Sequence, residues 1–377
     1  MNLKRLMLAA CAAALAGLLL VPSAPAKFRT APNSALQRDL DAIVAAKGGP
    51  PGILVLLDRG PHSEFFGAGT AGGRYQRPDL HFRIASVSKG FTGLLGAKLA
   101  RRGLAANYTL GESIPGVLPA AEAVTLQQLL QHSSGLAEYI QVPAFGEQLN
   151  ADPTRYFSPG ELIGFVREAP LEFPPGSRYH YSDTDNIAVA LMMADWTRLS
   201  YEQLLTKMVF KPLGMSHTTL PRTQRMPRPF MHGYDVVPGQ KPEDVSELLN
   251  PAGAWASGGI VSTPLDLASF ARAYVPTILR ATRELPGAFR PGSSSPPGPG
   301  KNFAGLGIFR YETDCGTVYG HTGSFPGYRV FLAASANGRR SVVSVANAQI
   351  IPGGQGSQKV AKAITEAQER AVCRALS

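Results

Sequence analysis

A serine and a lysine stand three residues apart at Ser86 and Lys89, and this Ser-x-x-Lys tetrad occurs once in the chain. Residues three apart on a helix share a face, so the hydroxyl and the amine would come within hydrogen-bonding reach. Such a pair joins a nucleophile to a base that can take its proton, as acyl transfer through a covalent intermediate requires. The alternative is an ordinary N-cap serine beside a solvated lysine.

The residues after the tetrad predict a helix. Apolar residues recur at helical spacing, and a basic last turn is followed by Gly103 as a C-terminal stop. The apolar set is Phe91, Leu94, Leu95 and Leu99. Ser86 would therefore lie at a helix N-terminus, where free N–H groups and the helix dipole favour developing negative charge.

Two further motifs follow in the chain, Tyr181-Ser182-Asp183 and His321-Thr322-Gly323. With the tetrad, they resemble the SxxK, YxN and K/H-T-G motifs of the penicillin-recognising serine hydrolases. The resemblance extends over nearly the whole chain after the N-terminal segment and is closest to the Streptomyces-type secreted D-alanyl-D-alanine carboxypeptidases. Class C β-lactamases and esterases of the same family are more distant relatives.

The resemblance implies a role for each motif residue. Ser86 would be the nucleophile, and Lys89 and Tyr181 would jointly hold the role of base. Tyr181 would also pass a proton to the leaving group and activate the deacylating water. His321 would orient Tyr181 and add partial positive charge, and the backbone N–H groups of Ser86 and Ser324 would form the oxyanion hole.

Asp183 departs from the family pattern, in which the second motif ends in asparagine. A carboxylate cannot donate a hydrogen bond to a substrate carbonyl unless it is protonated. Asp183 could instead pair with Lys89 and raise the pKa of the amine. This departure favours ester hydrolysis over efficient turnover of β-lactams or peptides.

The third motif and the strand before it supply the other candidate substrate-binding residues. Thr322 and Ser324 offer hydroxyls for a substrate carboxylate, and Gly323 lies between them. Arg310 lies on the preceding strand, where the resemblance implies an arginine, but the residue count puts Phe309 in register. A one-residue slip would turn Arg310 to the other face of the strand and into solvent.

The first 26 residues have the pattern of a secretory signal, with Lys4 and Arg5 before an apolar run and a small-x-small cleavage site. Lipidation at Cys11 is the alternative, but too few apolar residues precede that cysteine. Cleavage would lower the formal net charge from +10 to +8, because two basic and no acidic residues are lost. We expect an exported protein with no transmembrane anchor after cleavage.

Cys315 and Cys373 would then remain, and an even number of cysteines in an oxidising compartment favours a disulfide. The resemblance to the Streptomyces enzymes points to the same pair. Two unpaired buried thiols are the alternative.

Strand and helix patterns predict an α/β fold like that of the β-lactamases and DD-peptidases. An antiparallel sheet flanked by helices would be built from both chain ends, about 27–85 and 250–377. A mostly helical lobe, about 86–249, would be inserted between them. Capping-box patterns begin four of the predicted helices, at Thr125, Ser158, Ser200 and Thr263.

These observations predict an exported serine hydrolase working through an acyl-enzyme on Ser86, first of all a D-alanyl-D-alanine carboxypeptidase on cell-wall peptides. Alternatives are an esterase on small acyl esters, a class C-like β-lactamase, and a protein that binds muropeptides or β-lactams without turnover. We expect β-lactams as covalent inhibitors. No metal, cofactor or nucleic-acid partner is predicted, because the seven histidines are dispersed and no phosphate loop, dinucleotide fingerprint or nucleic-acid motif is present.

Overall fold

The computed structural model describes residues 29, 31–282, 289–291, 297–350 and 355–377. The proposed signal segment and Cys11 lie outside these residues. The helices of the described chain are α1 Ala35–Ala45, α2 Ser88–Ala100, α3 Leu110–Ser113, α4 Leu126–Leu130, α5 Pro143–Ala151, α6 Pro159–Gly164, α7 Asp183–Thr197, α8 Tyr201–Leu204, α9 Trp255–Gly258, α10 Pro264–Thr282 and α11 Gln355–Leu376.

The strands of the described chain are β1 Gly52–Asp58, β2 Glu64–Gly69, β3 Phe82–Arg83, β4 Tyr234–Asp235, β5 Glu243–Asp244, β6 Val261–Ser262, β7 Arg290–Pro291, β8 Lys301–Ala304, β9 Phe309–Thr313, β10 Gly316–Phe325, β11 Tyr328–Ala334 and β12 Ser341–Ala346. Eight of them form one antiparallel sheet in the order β2-β1-β12-β11-β10-β9-β8-β7. Strands from the two chain ends are therefore neighbours, and the predicted fold class is confirmed.

Strand β1 is buried along its whole length because helices cover both faces of the sheet. Its side chains alternate between two apolar clusters. Ile53 and Val55 pack with α1 and α11, whereas Leu54 and Leu56 pack with α2 and α10. The helices numbered α3 to α8 follow α2 in the chain, and α2 contacts both α7 and the sheet.

The helix starts follow from their caps. Thr125, Ser158 and Ser200 each form the predicted reciprocal capping box. At Thr263 the cap hydroxyl accepts the N–H of Asp266, but the Asp266 carboxylate binds the backbone N–H of His217 and the hydroxyl of Thr218 instead. The carboxylate therefore ties α10 to the preceding loop.

The dipeptide Asn337-Gly338 predicts a two-residue type I′ hairpin, but the observed hairpin between β11 and β12 differs from it. Only Gly338 has a positive φ, +71°, and its N–H donates to Ser335 O at 2.8 Å. Asn337 instead accepts the backbone N–H of Arg339 through its side chain. The last backbone pair before the turn is Ser335 with Arg340, so the loop has four residues instead of the predicted two.

The predicted disulfide joins Cys315 to Cys373, with the two Cα atoms 5.1 Å apart. It ties the turn between β9 and β10 to helix α11. Bidentate hydrogen bonds from Arg374 to Glu64 attach the same helix to β2. Within the described chain, no helix is long and apolar enough to cross a membrane.

Candidate active site

Ser86 lies in a single 3-10 turn, Ala85–Val87, that leads directly into α2. Ala85 has a φ of +51°, a conformation that costs free energy for a residue with a Cβ atom. Helix α2 is buried on nearly every side, so its first turn is held in place by packing. The predicted helix start at the tetrad is thus confirmed, with the serine one turn ahead of the regular helix.

Lys89 is completely buried and its ammonium group has three acceptors. Its Nζ lies 3.2 Å from Ser86 Oγ and 2.9 Å from the carbonyl oxygen of Ser257, and it forms a short ion pair with Asp183 Oδ1. The Tyr181 ring centroid is 4.9 Å from Nζ. Three protons and three acceptors match the ammonium form, so the predicted pairing of Asp183 with Lys89 is present.

Tyr181 belongs to an extended segment just before α7, and its ring packs between the side chains of two histidines, His132 and His321. Burial, and secondarily the charge of Asp183, raise the pKa of Tyr181 well above its usual value, while an interaction with Ser86 opposes the shift. The hydroxyl therefore keeps its proton at neutral pH. It makes no hydrogen bond of good geometry within the described chain.

Strand β10 presents half of its length as a free edge next to Ser86. Strand β9 pairs only with residues Gly316 to Gly320, so the described strands leave 321–324 uncovered on that side. A Cβ atom placed on Gly323 would lie 2.5 Å from Ile84 O and 3.2 Å from Ser86 N. Glycine is thus required for this strand to approach the nucleophile.

His321 is buried and neutral. Its Nδ1–H donates to Thr322 O at 2.5 Å, which leaves the Nε2 lone pair free to accept a proton or hydrogen bond. Burial, and next the charge of Lys89, lower the pKa of His321 to about 3. The expected partial positive charge is therefore absent at neutral pH, because desolvation disfavours the imidazolium.

Glu138 lies beside Asp183 and was not among the predicted site residues. The Glu138 carboxyl accepts the backbone N–H of Asp183 at 2.5 Å and that of Ile140 at 3.3 Å. Burial and the charge of Asp183 raise its pKa to about 8. The available signal was an acidic residue between Leu136 and Tyr139, both of which are buried.

The structure does not bring every predicted residue to the cluster around Ser86, which contains Lys89, Tyr181 and Asp183. Arg310 ion-pairs with Glu312 at 3.1 Å and lies over the ring of Phe303, with no contact to the Ser86 cluster. Thr322 is buried with its hydroxyl close to Tyr311, whereas Ser324 is exposed and accepts the side-chain amide of Gln349 at 3.1 Å. The part of the chain that is described holds no group of three or more acidic, histidine or cysteine side chains suited to a metal.

The family model described as Beta-lactamase matches residues 38–364 of this chain. Among curated proteins, the putative penicillin-binding protein PbpX of Bacillus subtilis is 26% identical over 61% of this chain. Penicillin-binding protein 4* of the same species is 24% identical over 71% of it. The chain spans 53% of the first and 60% of the second.

Two solved structures are similar along almost their whole length. A D-stereospecific amidohydrolase from a Streptomyces species has a TM-score of 0.74 and 27% identity, with 87% of this chain and 97% of that chain covered. The D-amino acid amidase of Ochrobactrum anthropi SV3 has a TM-score of 0.76 and 23% identity, with 89% and 96% covered. At that identity the second likeness concerns the fold alone.

Proposed function

The chain belongs to the beta-lactamase family of serine hydrolases, and from this premise we propose that it hydrolyses amides or esters of D-configured amino acids through an acyl-enzyme on Ser86. One observation carries the proposal. Lys89 is the cation that contacts Ser86, and its three protons are already directed at Ser86, Asp183 and Ser257. Lys89 therefore has no proton left to bind a substrate carboxylate, and the site favours a substrate that carries no carboxylate beside the scissile bond.

Acylation begins with proton transfer inside the Lys89–Asp183 pair. Lys89 gives a proton to the Asp183 carboxylate, which its Nζ already contacts. Ser86 Oγ then attacks the carbonyl carbon while its proton passes to the Lys89 amine. The bond from Oγ to carbon forms, and the carbonyl π electrons move to the oxygen.

Collapse of this intermediate breaks the bond to the leaving group. Tyr181, which keeps its proton at neutral pH, donates that proton to the departing nitrogen or oxygen and regains one from Lys89. Deacylation runs in reverse, with water as the nucleophile and Ser86 Oγ as the leaving atom. The backbone N–H groups of Ser86 and Ser324 remain our proposal for the oxyanion donors.

Charge around the nucleophile also supports a substrate without a carboxylate. Asp183 balances the charge of Lys89, Glu138 keeps its proton at neutral pH because its pKa is raised to about 8, and Arg310 is engaged elsewhere. The D-configured substrate class is supported by the amidohydrolase likeness, which covers nearly all of both chains.

A D-alanyl-D-alanine carboxypeptidase is the second candidate. The free edge of β10 at 321–324 could pair with a peptide backbone, and the exposed hydroxyl of Ser324 lies at its end. This candidate requires that a terminal carboxylate be held by hydroxyl groups alone.

The deciding experiment compares four compounds on the purified protein: D-phenylalanine amide, L-phenylalanine amide, an acyl-D-Ala-D-Ala peptide, and p-nitrophenyl acetate. We expect hydrolysis of the D-amide and the ester, little D-alanine release, and no activity in Ser86→Ala. Intact-mass spectrometry after benzylpenicillin treatment reports acylation directly. Predominant D-alanine release would favour the carboxypeptidase, and activity that survives in Ser86→Ala would refute the proposed mechanism.

We also propose export, on the pattern of residues 1–26. The disulfide between Cys315 and Cys373 supports an oxidising compartment. Fractionation of expressing cells, with the N-terminal mass of the recovered protein, tests this. Recovery of the uncleaved chain from the cytoplasm would contradict it.

A further inference from the structure

The segment that carries Tyr181 lies outside helices and strands, so another element must hold it in place. His132 contacts three consecutive residues of this segment. Its carbonyl oxygen accepts the N–H of His180 at 2.8 Å, and its Nδ1 accepts the N–H of Ser182 at 3.3 Å. Between them, the His132 and Tyr181 ring centroids are 4.6 Å apart.

His132 is itself held firmly. It is 2% exposed and has a φ of +53°, in the left-handed region that a residue with a Cβ atom rarely adopts. Its Nδ1 lies 3.2 Å from Asp185 Oδ2, and the hydroxyl of Ser134 donates to the other oxygen of that carboxyl at 2.5 Å. A strained residue fixed on several sides is typical of a site where position matters.

The hydrogen bonds determine where the protons lie. Nδ1 accepts from Ser182, so it carries no proton of its own, and the proton shared with Asp185 belongs to the carboxyl group. Burial raises the pKa of Asp185 well above its usual value and lowers that of His132 to about 3. Both groups are neutral, which leaves His132 Nε2–H buried without a partner in the described residues.

Ser134, Asp185 and His132 do not form a second catalytic triad. The Ser134 hydroxyl donates to Asp185 and not to the imidazole, and all three side chains are buried. A substrate could not reach this serine, so the group must act on its neighbours.

We propose that His132 is a positioning residue that fixes the ring of Tyr181, and through it the hydroxyl that faces Ser86. This inference rests on the proton-transfer role assigned to Tyr181 in the proposed function. The imidazole limits the plane and depth of the phenol ring, while the two backbone contacts fix the chain on either side of it.

A double-mutant cycle tests the inference. Asparagine tolerates a positive φ and can still accept the Ser182 N–H, so His132→Asn removes mainly the ring. We expect kcat for D-amide hydrolysis to fall by about 10- to 100-fold with little change in KM, because small misplacements of catalytic groups are costly. In a Tyr181→Phe background the same substitution should lower kcat by less than about twofold.

The control variant is His180→Asn, since the His180 ring lies on the same segment but ion-pairs with Glu172 and is partly exposed. It should retain activity within about twofold. Should His132→Asn not fold, Ser134→Ala replaces it, because it removes one support of Asp185 and should give the same pattern at smaller amplitude. Equal losses with and without the Tyr181 hydroxyl would show a general structural role and overturn the inference.

A readout without turnover separates this inference from the proposed function. In protein labelled with 3-fluorotyrosine, the resonance missing from Tyr181→Phe identifies Tyr181. We expect that resonance to shift or broaden in His132→Asn and to stay unchanged in His180→Asn. An unchanged resonance in His132→Asn would refute positioning, whereas a wild-type protein without D-amide hydrolysis would refute the proposed function alone.

Discussion

At the scale of single residues, the Lys89 amine and the Asp183 carboxylate determine the chemistry of the site together. With asparagine at 183, an uncharged amide would face the amine, and the proton would have to leave Lys89 by another route. With aspartate, the acceptor is already in contact with the donor. The departure from the family motif thus gives Lys89 a carboxylate that can accept its proton, in place of an amide that cannot.

Removing the Tyr181 hydroxyl should affect amides more than activated esters. An amine leaves only after protonation, whereas p-nitrophenolate departs without it. We expect Tyr181→Phe to lower kcat/KM for the D-amide by about 100-fold and that for p-nitrophenyl acetate by less than about tenfold. Steady-state kinetics on both substrates measure the ratio, and equal losses would contradict a role in leaving-group protonation.

Glu138 should make the protein less stable as the pH rises. Its folded pKa of about 8 lies above the unfolded value of 4.5, so the folded state binds more protons between these values. The contribution of Glu138 to the free energy of unfolding is therefore greatest below pH 4.5, falls between pH 4.5 and 8, and is lowest above pH 8. Each unit of pKa difference between the folded and unfolded states corresponds to about 1.4 kcal/mol in the free energy of unfolding, which sets the upper limit of this pH effect.

Glu138→Gln should remove this dependence, because an amide keeps the contact to the Asp183 N–H without titrating. Denaturant unfolding at pH 5 and pH 9 gives the measurement. We expect the variant to be more stable than the wild type at pH 9 and to differ little at pH 5. The exposed Glu243→Gln serves as the matched control, and an identical pH dependence in all three proteins would contradict the argument.

At the scale of elements, the contact between β10 and the Ser86 turn depends on Gly323. A methyl group there would meet Ile84 O at 2.5 Å and the Ala85 Cβ at 3.0 Å, so the strand would have to move away from the nucleophile. We expect Gly323→Ala to slow labelling of Ser86 by a fluorophosphonate by at least about 100-fold.

The control for this change is Gly146→Ala in α5, where a Cβ meets nothing within 4 Å. Alanine should stabilise that helix by about 0.5–1 kcal/mol and leave labelling unchanged. Normal labelling of Gly323→Ala would mean that the strand can tolerate displacement, contrary to our account.

Elements with local signals could be predicted, and those that depend on distant contacts could not. The caps at Thr125 and Ser158 are each formed by two residues that lie three apart in the sequence. The prediction of a two-residue turn at Asn337 was wrong in detail because Gly338 packs on α10, where a Cβ atom at Gly338 would lie 2.6 Å from Arg272 O. Glu138 was missed because its importance comes from Asp183, 45 residues away.

At the scale of the whole molecule, the disulfide should contribute stability without taking part in catalysis. Cys315 and Cys373 are 58 residues apart, which corresponds to roughly 4 kcal/mol in the chain-entropy model. We expect Cys315→Ser to lose several kcal/mol in urea unfolding and to keep kcat within about twofold at 25 °C. Reduced wild-type protein should behave like the variant, and a large loss of kcat in a folded variant would contradict this separation.

The fold class could be predicted because strand patterns at both chain ends were clear, and the three motifs indicated the family. The free edge of β10 could not be predicted, because it depends on the register with β9, which pairs with β10 only as far as Gly320. Likewise, the positions of Arg310 and Thr322 depend on which face of a strand each occupies, and single-sequence periodicity was too short there to decide.

The pairing of β1 with β12 has a consequence for the order of events during synthesis. Ile53 lies opposite Ala346, so the centre of the sheet closes only once residue 346 has been made, almost 300 residues after Ile53. Ser86 and Lys89 are translated early, but the strand beside them arrives with residues 316–325. A nascent chain therefore carries its nucleophile long before the surface that activates it, and hydrolytic activity can arise only after residues 316–325 have been translated.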